Sequence, residues 1–313
     1  MILVFGSINV DLVATVPSIP RPGETVLSTR YDTSPGGKGA NQAVAAARAR
    51  ADARLPVVMA GAVGDDGFGA FALANLAENG VDTRAVRKGD EPTGCAFIVV
   101  NPQGENAITV ASGANRIVRA ADVPDAMLAE ARVVVLQMEV PVDENIALAR
   151  RARAAGAPVI LNLAPAPADL SPALLERLLA NVDVLVLNEL EAATVAAIYD
   201  GAKASDPAGM ARYIAERAKL TAVITLGADG AVASVCGKPP LAAPALAIMP
   251  VDTTGAGDAF VGIMAAKLAE GVAFELCLRY AAVGASLACL ALGAQAGLPY
   301  AADIEKALAG SAT

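Results

Sequence analysis

The sequence predicts an α/β protein: a mostly parallel central sheet covered by helices on both faces, with a small β-structure projecting from it. Short β-branched runs alternate with helical stretches along most of the 313 residues, and the alternation becomes regular after residue 131. Two segments, 12–33 and 84–112, break that rhythm with alternating extended runs around turn residues.

In chain order, ILVFGSI (2–8) reads as the first strand and ANQAVAAARAR (40–50) as a helix by composition. VVMAGAVG (57–64) is a strand, and FGAFALANLAENG (68–80) is a helix closed by a C-terminal glycine. TGCAFIVV and ENAITVA, with NPQG between them, read as a hairpin. Then come VVVLQM, a helix from about Asp143, PVILNL, a helix after Ser171, DVLVLN, a helix from Glu189, and TAVITLG (221–227). Nearly continuous apolar strands separated by helices indicate a buried parallel sheet. The segment 281–298 has no charge over 18 residues, the lower limit for a membrane span. Its glycines and polar side chains predict a buried helix followed by a loop.

A net charge of −8 argues against nucleic acid as the main partner. The four cysteines show no CxxC spacing, and the N-terminus lacks a basic start, so reduced thiols in a cytoplasmic protein with no membrane partner are expected. Histidine is absent (0 of 313). That excludes a Ser-His-Asp triad, a histidine metal site and a histidine base, and leaves Asp or Glu for proton transfer.

The strongest chemical candidate is DTTGAGDAF (252–260), a glycine-rich turn running into an apolar helix. A helix N-terminus presents unpaired N–H groups and partial positive charge, which together make an anion hole. Asp258 in the first turn would sit beside a phosphate held there and could accept a proton from an attacking hydroxyl. The plainer alternative is a helix cap. A dinucleotide fingerprint fails, because phenylalanine stands where the third glycine or alanine belongs.

PGGKGANQA (35–43) offers close backbone approach, the charge of Lys38, and Asn41 as donor and acceptor for sugar hydroxyls. A loop and helix cap would account for only part of it. In GSINVD (6–11), Asn9 and Asp11 point the same way from a strand and could bridge polyol hydroxyls; a strand end entering a turn is the alternative. Glu139 closes a strand at the end where open α/β sheets bind ligands. Asn188 and Glu191 in NELE could organise water around magnesium, or simply cap a helix. TLGADG (225–230) could lie against a nucleotide or be an ordinary hairpin turn.

Taken in order, GSINVD, GGKGANQA, TGCAFIVVNPQGENAI, LQME, NLAPAP, NELE, TLGADG and DTTGAGDAF resemble the PfkB carbohydrate-kinase family over nearly the whole chain. Each motif is weak alone; the ordered set is specific. The resemblance implies one three-layer kinase domain over 1–313, with a small β-sheet lid formed by about 12–33 and 84–112. It implies transfer of the γ-phosphoryl group of ATP to a sugar hydroxymethyl, D-ribose first among acceptors. Asp258 becomes the base, and the N–H groups of Gly255, Ala256 and Gly257 the anion hole. The sugar would meet Asn9, Asp11, Gly37, Lys38, Asn41 and Glu139. ATP would lie near Asn188, Thr225, Gly227 and Gly230, with Glu191 supporting Mg²⁺. A potassium ion is implied beside the hole, at Asp252 and Thr254 with carbonyls of Ala288, Ala291 and Gly293. The lid of such kinases often makes a homodimer interface.

Two positions depart from the pattern. Gly297 lies where such kinases commonly carry a serine, and Ala282 near the place of a histidine that often neighbours the adenine. The competing readings are a family member acting on another sugar or a nucleoside, and a non-catalytic sugar-binding protein on the same fold.

Overall fold

The protein was analysed as a computed structural model that describes residues 1–199 and 206–310. The chain opens with β1 (Ile2–Phe5), β2 (Asn9–Thr15), β3 (Tyr31–Gly36), α1 (Lys38–Ala49), β4 (Val57–Gly64), α2 (Gly67–Glu78), β5 (Val81–Gly89), β6 (Gly94–Val100) and β7 (Asn106–Ala111). It continues with α3 (Asp125–Glu130), β8 (Val133–Gln137), α4 (Val142–Ala154), β9 (Val159–Asn162), α5 (Pro172–Leu179), β10 (Val184–Asn188), α6 (Glu189–Ile198) and α7 (Pro207–Ala218). The last part holds β11 (Thr221–Thr225), β12 (Ala231–Val235), β13 (Leu241–Ala243), α8 (Ala256–Ala269), α9 (Phe274–Ala288) and α10 (Ala301–Gly310).

The large sheet has 9 strands in the order β13-β12-β11-β10-β9-β8-β1-β4-β5. From β11 to β5 every pairing is parallel, and β12 and β13 close one edge antiparallel. Strands buried on both faces explain the unbroken apolar runs. Ile2 and Val4 pack with α1, α8, α9 and α10, while Leu3 and Phe5 pack with α3 to α7, so the sheet is the middle of three layers. Alternation along β1 thus assigns its side chains to opposite cores. Alanine content has a packing role at α1 and α8. Gly262 lets the two helices approach until an added Cβ would stand 2.4 Å from Gln42 O. The close approach brings polar residues of α1 to the first turn of α8.

The small sheet has 4 strands in the order β3-β2-β6-β7. β2 and β3 pair antiparallel, as do β6 and β7, and β2 joins β6 in parallel. Its extent differs from the sequence expectation at both ends. The small sheet already begins at Asn9, and residues 84–89 belong to β5, which runs parallel to β4 in the large sheet. VDTRAVRKG, charged and largely half-buried, pairs with β4 alone and forms one edge of the large sheet. The uncharged segment 281–298 divides into the end of α9 and a loop, as expected. Among the described residues, no helix is long and apolar enough to cross a membrane. All four cysteines are free.

Candidate active site

Parallel strands bring their C-terminal ends to one edge, and the candidate residues collect there. Ser7 follows β1, Glu139 follows β8, and Asn162, Asn188 and Thr225 end β9, β10 and β11. The N-terminus of α8 arrives at the same edge. Its cap is Gly255, at φ 78°, and no side chain caps the helix. A Cβ on Gly255 would stand 2.7 Å from Ala294 O, so both the left-handed backbone and the close approach demand glycine. The N–H groups of Gly255 and Gly257 meet no acceptor among the described residues. The N–H of Ala256 differs from expectation: it donates to Thr253 O at 3.2 Å, because the tight turn folds back on itself.

Asp258 lies in the first turn of α8 and is 5% exposed. Both of its oxygens are held. Asn41 Nδ2 donates to Oδ2 at 2.9 Å, and Gln42 Nε2 donates to Oδ1 at 2.9 Å while also reaching Asn162 Oδ1 at 3.1 Å. Neither Gln42 nor Asn162 stood out in the sequence as a site residue. Asn41 uses its carbonyl on Gln295 Nε2, at 2.9 Å, so it supports the carboxylate as much as any ligand.

Around this centre lies a second set of acids. Glu139 Oε2 accepts from Ser7 Oγ at 2.6 Å and from the Lys38 N–H at 3.1 Å. Gly37 caps α1 immediately before Lys38. The Lys38 ammonium is held above its usual range chiefly by the negative charge of Asp258, against the effect of burial, with Glu139 and Glu191 adding to it. Asp11 is pushed up to about 6, first by burial and then by Glu139 and Asp258. Glu191 is raised by burial, opposed by its bond from the Asn188 N–H and by Lys38. Asn9 Oδ1 accepts from Asn115 Nδ2 at 2.7 Å. Asn115 also bonds the backbone of Ile8 on both sides, which locks the entry to β2.

Three hollows adjoin these groups. One of about 400 Å³ is lined by Asn9, Asn115, Arg116 and Glu139. One of about 130 Å³ contains Lys38, Asn188, Glu191, Gly255, Gly257 and Asp258. One of about 290 Å³ is lined by Thr225, Gly227, Gly230, Ala256, Phe260 and Ala282. Thr225 and Gly257 border the last two in common, so those two are contiguous. Asp11, Gly37 and Asn41 are not among the residues that line these three hollows. At NELE the helix-cap interpretation holds. Asn188 and Glu191 form a reciprocal capping box on α6, with bonds of 2.8 and 2.9 Å, and also face the small hollow.

The proposed cation residues gather one turn before the anion hole. Asp252 Oδ1 accepts from the Thr254 N–H at 2.9 Å and Oδ2 from the Gly293 N–H at 2.8 Å. Burial would raise Asp252, but these N–H bonds win and hold it below the usual carboxylate range. Ala288 O lies so near Gly297 that a Cβ there would stand 2.3 Å from it. A serine at 297 would need that carbonyl to shift. The Cβ of Ala291 also flanks Gly297.

With this geometry in view, the comparisons agree. The model of the pfkB family carbohydrate kinases matches residues 1–301. The ribokinase of Bacillus subtilis is 37% identical over 309 residues, covering 98% of this chain and 99% of its own. Among solved structures, the ribokinase of Thermotoga maritima superposes with a TM-score of 0.89 at 28% identity, covering 98% of this chain and 99% of the other. A ribokinase of Arabidopsis thaliana complexed with ribose and ATP gives 0.85 at 30% identity, covering 98% of each chain.

Proposed function

The chain belongs to the pfkB family of carbohydrate kinases, and from that premise we propose that it transfers the γ-phosphoryl group of ATP to the hydroxymethyl oxygen of D-ribose, with Asp258 as general base. One observation carries the assignment of the base. A buried carboxylate with both oxygens fixed stands in the first turn of an uncapped helix, beside the hollow that adjoins the nucleotide cavity.

In this reading the nucleotide occupies the cavity over Gly227, Gly230 and Ala282, and its phosphates run through the small hollow towards Gly255 and Gly257. ATP supplies the phosphoryl group. The acceptor oxygen gives its proton to Asp258 as it attacks, and the open N–H groups and the dipole of α8 meet the charge that builds on the phosphoryl oxygens. Lys38, kept cationic by its acidic neighbours, stabilises the same charge. Asn9, Asp11 and Glu139 orient the sugar hydroxyls, with Ser7 holding Glu139 in place. Gln42 and Asn41 keep the carboxylate of Asp258 aimed.

Glu191 fits a magnesium ion that keeps most of its waters and leans on phosphate oxygens, since it is one carboxylate in the phosphate hollow. Asp252 and Thr254, with the carbonyls of Ala288, Ala291 and Gly293, fit a potassium ion, whose charge would support the turn that shapes the anion hole. The small sheet acts as a lid, and its exposed Tyr31 and Phe97, which share one face, are where two copies pair. A second reading, a larger or acidic sugar as acceptor, is favoured by Arg116 on the wall of the 400 Å³ cavity.

The direct test of the base is Asp258→Ala. General-base help contributes about 10²–10⁴-fold, so kcat falls by that factor while the melting temperature and ATP affinity hold. Turnover near wild type removes the assignment.

A further inference from the structure

We infer that Gln295 is a positioning residue for Asp258, acting through Asn41 in a one-way chain of side-chain amides that runs from Asn75. The inference rests on Asp258 being the base. The chain can be followed bond by bond. Behind it, Arg48 Nε donates to Asn79 Oδ1 at 2.8 Å, and Asn79 Nδ2 donates to the backbone O of Asn75 at 2.8 Å, which ties α1 to the turn of α2 that carries Asn75. Asn75 Nδ2 donates to Gln295 Oε1 at 2.6 Å, and Gln295 Nε2 donates to Asn41 Oδ1 at 2.9 Å. Asn41 Nδ2 then donates to Asp258 Oδ2 at 2.9 Å.

The carboxylate end fixes the direction. An ionised carboxylate can only accept, so Asn41 must donate to it, Gln295 to Asn41 and Asn75 to Gln295. Turning one amide over would set oxygen against oxygen or N–H against N–H. Gln295 is 4% exposed and Asn41 is 5% exposed, so bulk water cannot repair such a fault. Arg48 also binds the backbone of the same loop, donating to Gln295 O and Leu298 O at 2.9 Å each. The loop that carries Gln295 is the one that touches the anion-hole turn, where Ala294 O lies against Gly255. The chain therefore couples the orientation of the base to the seating of the 292–298 loop on α1 and α2. Gln42 holds the other carboxylate oxygen by a separate route, so cutting the chain misaims Asp258 without releasing it.

Direction, more than shape, is what the account requires, and Asn75 tests it at a distance from the reacting atoms. Asn75→Asp keeps the shape but replaces the donor to Gln295 with an acceptor. Gln295 then turns over, Asn41 follows, and a carbonyl faces Asp258. Asn75→Leu merely ends the chain. A misplacement near the reacting atoms can cost about 10²-fold. The expected order of kcat is wild type, then Asn75→Leu lower by about threefold, then Asn75→Asp lower by about tenfold or more. The same contrast holds at the buried position: Gln295→Glu loses more kcat than Gln295→Met. In all of them the KM for ATP stays within about twofold, because the chain does not reach the nucleotide cavity.

A purely structural role predicts the reverse order, since the isosteric acid disturbs packing least. Asn75→Asp with kcat at or above that of Asn75→Leu overturns the inference. Should the Gln295 variants fail to fold, by melting temperature, the Asn75 pair decides alone. Asp258→Ala measured alongside separates the two claims. Near-wild-type turnover there removes the base and the chain together. A dead Asp258→Ala with an unimpaired Asn75→Asp removes the chain only.

Discussion

The cavity of about 400 Å³ beside Glu139 and that of about 290 Å³ over α8 are made of opposite materials. On the acceptor side, Asn9, Asn115, Ser7 and Glu139 are tied to one another by hydrogen bonds across more than a hundred residues of chain. On the nucleotide side, Ala228, Ala245, Ala247, Ala256, Ala282 and Ala285 leave a smooth apolar slot. Polar groups buried in fixed positions discriminate strongly, because an unmatched one is expensive; an apolar slot discriminates by shape alone. On the proposed function, selectivity is concentrated on the acceptor and the base of the nucleotide is held by fit.

The largest effect is expected at the anion hole, in the small hollow that borders the apolar slot. Gly255→Ala puts a Cβ on a left-handed residue 2.7 Å from Ala294 O and moves a donor N–H. Removing one such donor costs about 10²–10³-fold, and kcat falls on that scale with either substrate saturating. On the acceptor side, Glu139→Gln weakens a charge-assisted bond worth about 1.5–3 kcal/mol. The kcat/KM for ribose drops by about 10- to 100-fold, and the KM for ATP measured at saturating ribose does not move. On the nucleotide side, Ala282→Leu fills part of the apolar slot. Overpacking of about 1–2 kcal/mol raises the KM for ATP about tenfold, and the KM for ribose holds.

The smallest effect is one of stability. Asp11 has its carboxyl raised to about 6 in the folded protein from 3.8, by burial first. The folded state therefore binds more protons than the unfolded one between those values, and ligand-free stability declines as pH rises through that window. Asp11→Asn removes the decline and raises the melting temperature at pH 7, by about 2 °C for a gain near 1 kcal/mol. It costs affinity for ribose at the same time. In the wild type the KM for ribose climbs as pH falls below about 6, since the protonated acid no longer accepts from two hydroxyls. A melting temperature that drops in Asp11→Asn contradicts this account of the acceptor wall.

The same contrast explains what was legible in the sequence. Strand and helix alternation predicted β1, β4, β8, β9, β10 and β11 of the large sheet, because buried parallel strands cannot hide their apolar runs, but not β5 or the antiparallel β12 and β13 at the edges. The motif glycines and acids on the acceptor side stood out because they cluster within short stretches and follow one another in the order the family resemblance carries. Ala282 was noticed only as a departure. The rest of the nucleotide slot was invisible, since its alanines look like those of the core. Gln42, Asn115 and Gln295 escaped for another reason. Their significance lies in contacts that span 216, 107 and 254 residues, and no local pattern announces such partners. The strand β5 was misplaced because, as a charged and half-buried edge strand, it lacks the unbroken apolar run of the inner strands.

The central claim is the reaction itself, so the decisive measurement is ADP release with Mg²⁺ and K⁺ across D-ribose, 2-deoxyribose, fructose, 2-keto-3-deoxygluconate, adenosine and no acceptor, with the phosphorylated position read by NMR. The account predicts the highest kcat/KM for D-ribose, with phosphate on its hydroxymethyl oxygen. A higher value for another acceptor contradicts the reading of Asn9, Asp11 and Glu139 as a ribose site, and turnover with none contradicts the assignment of Asp258 as a base.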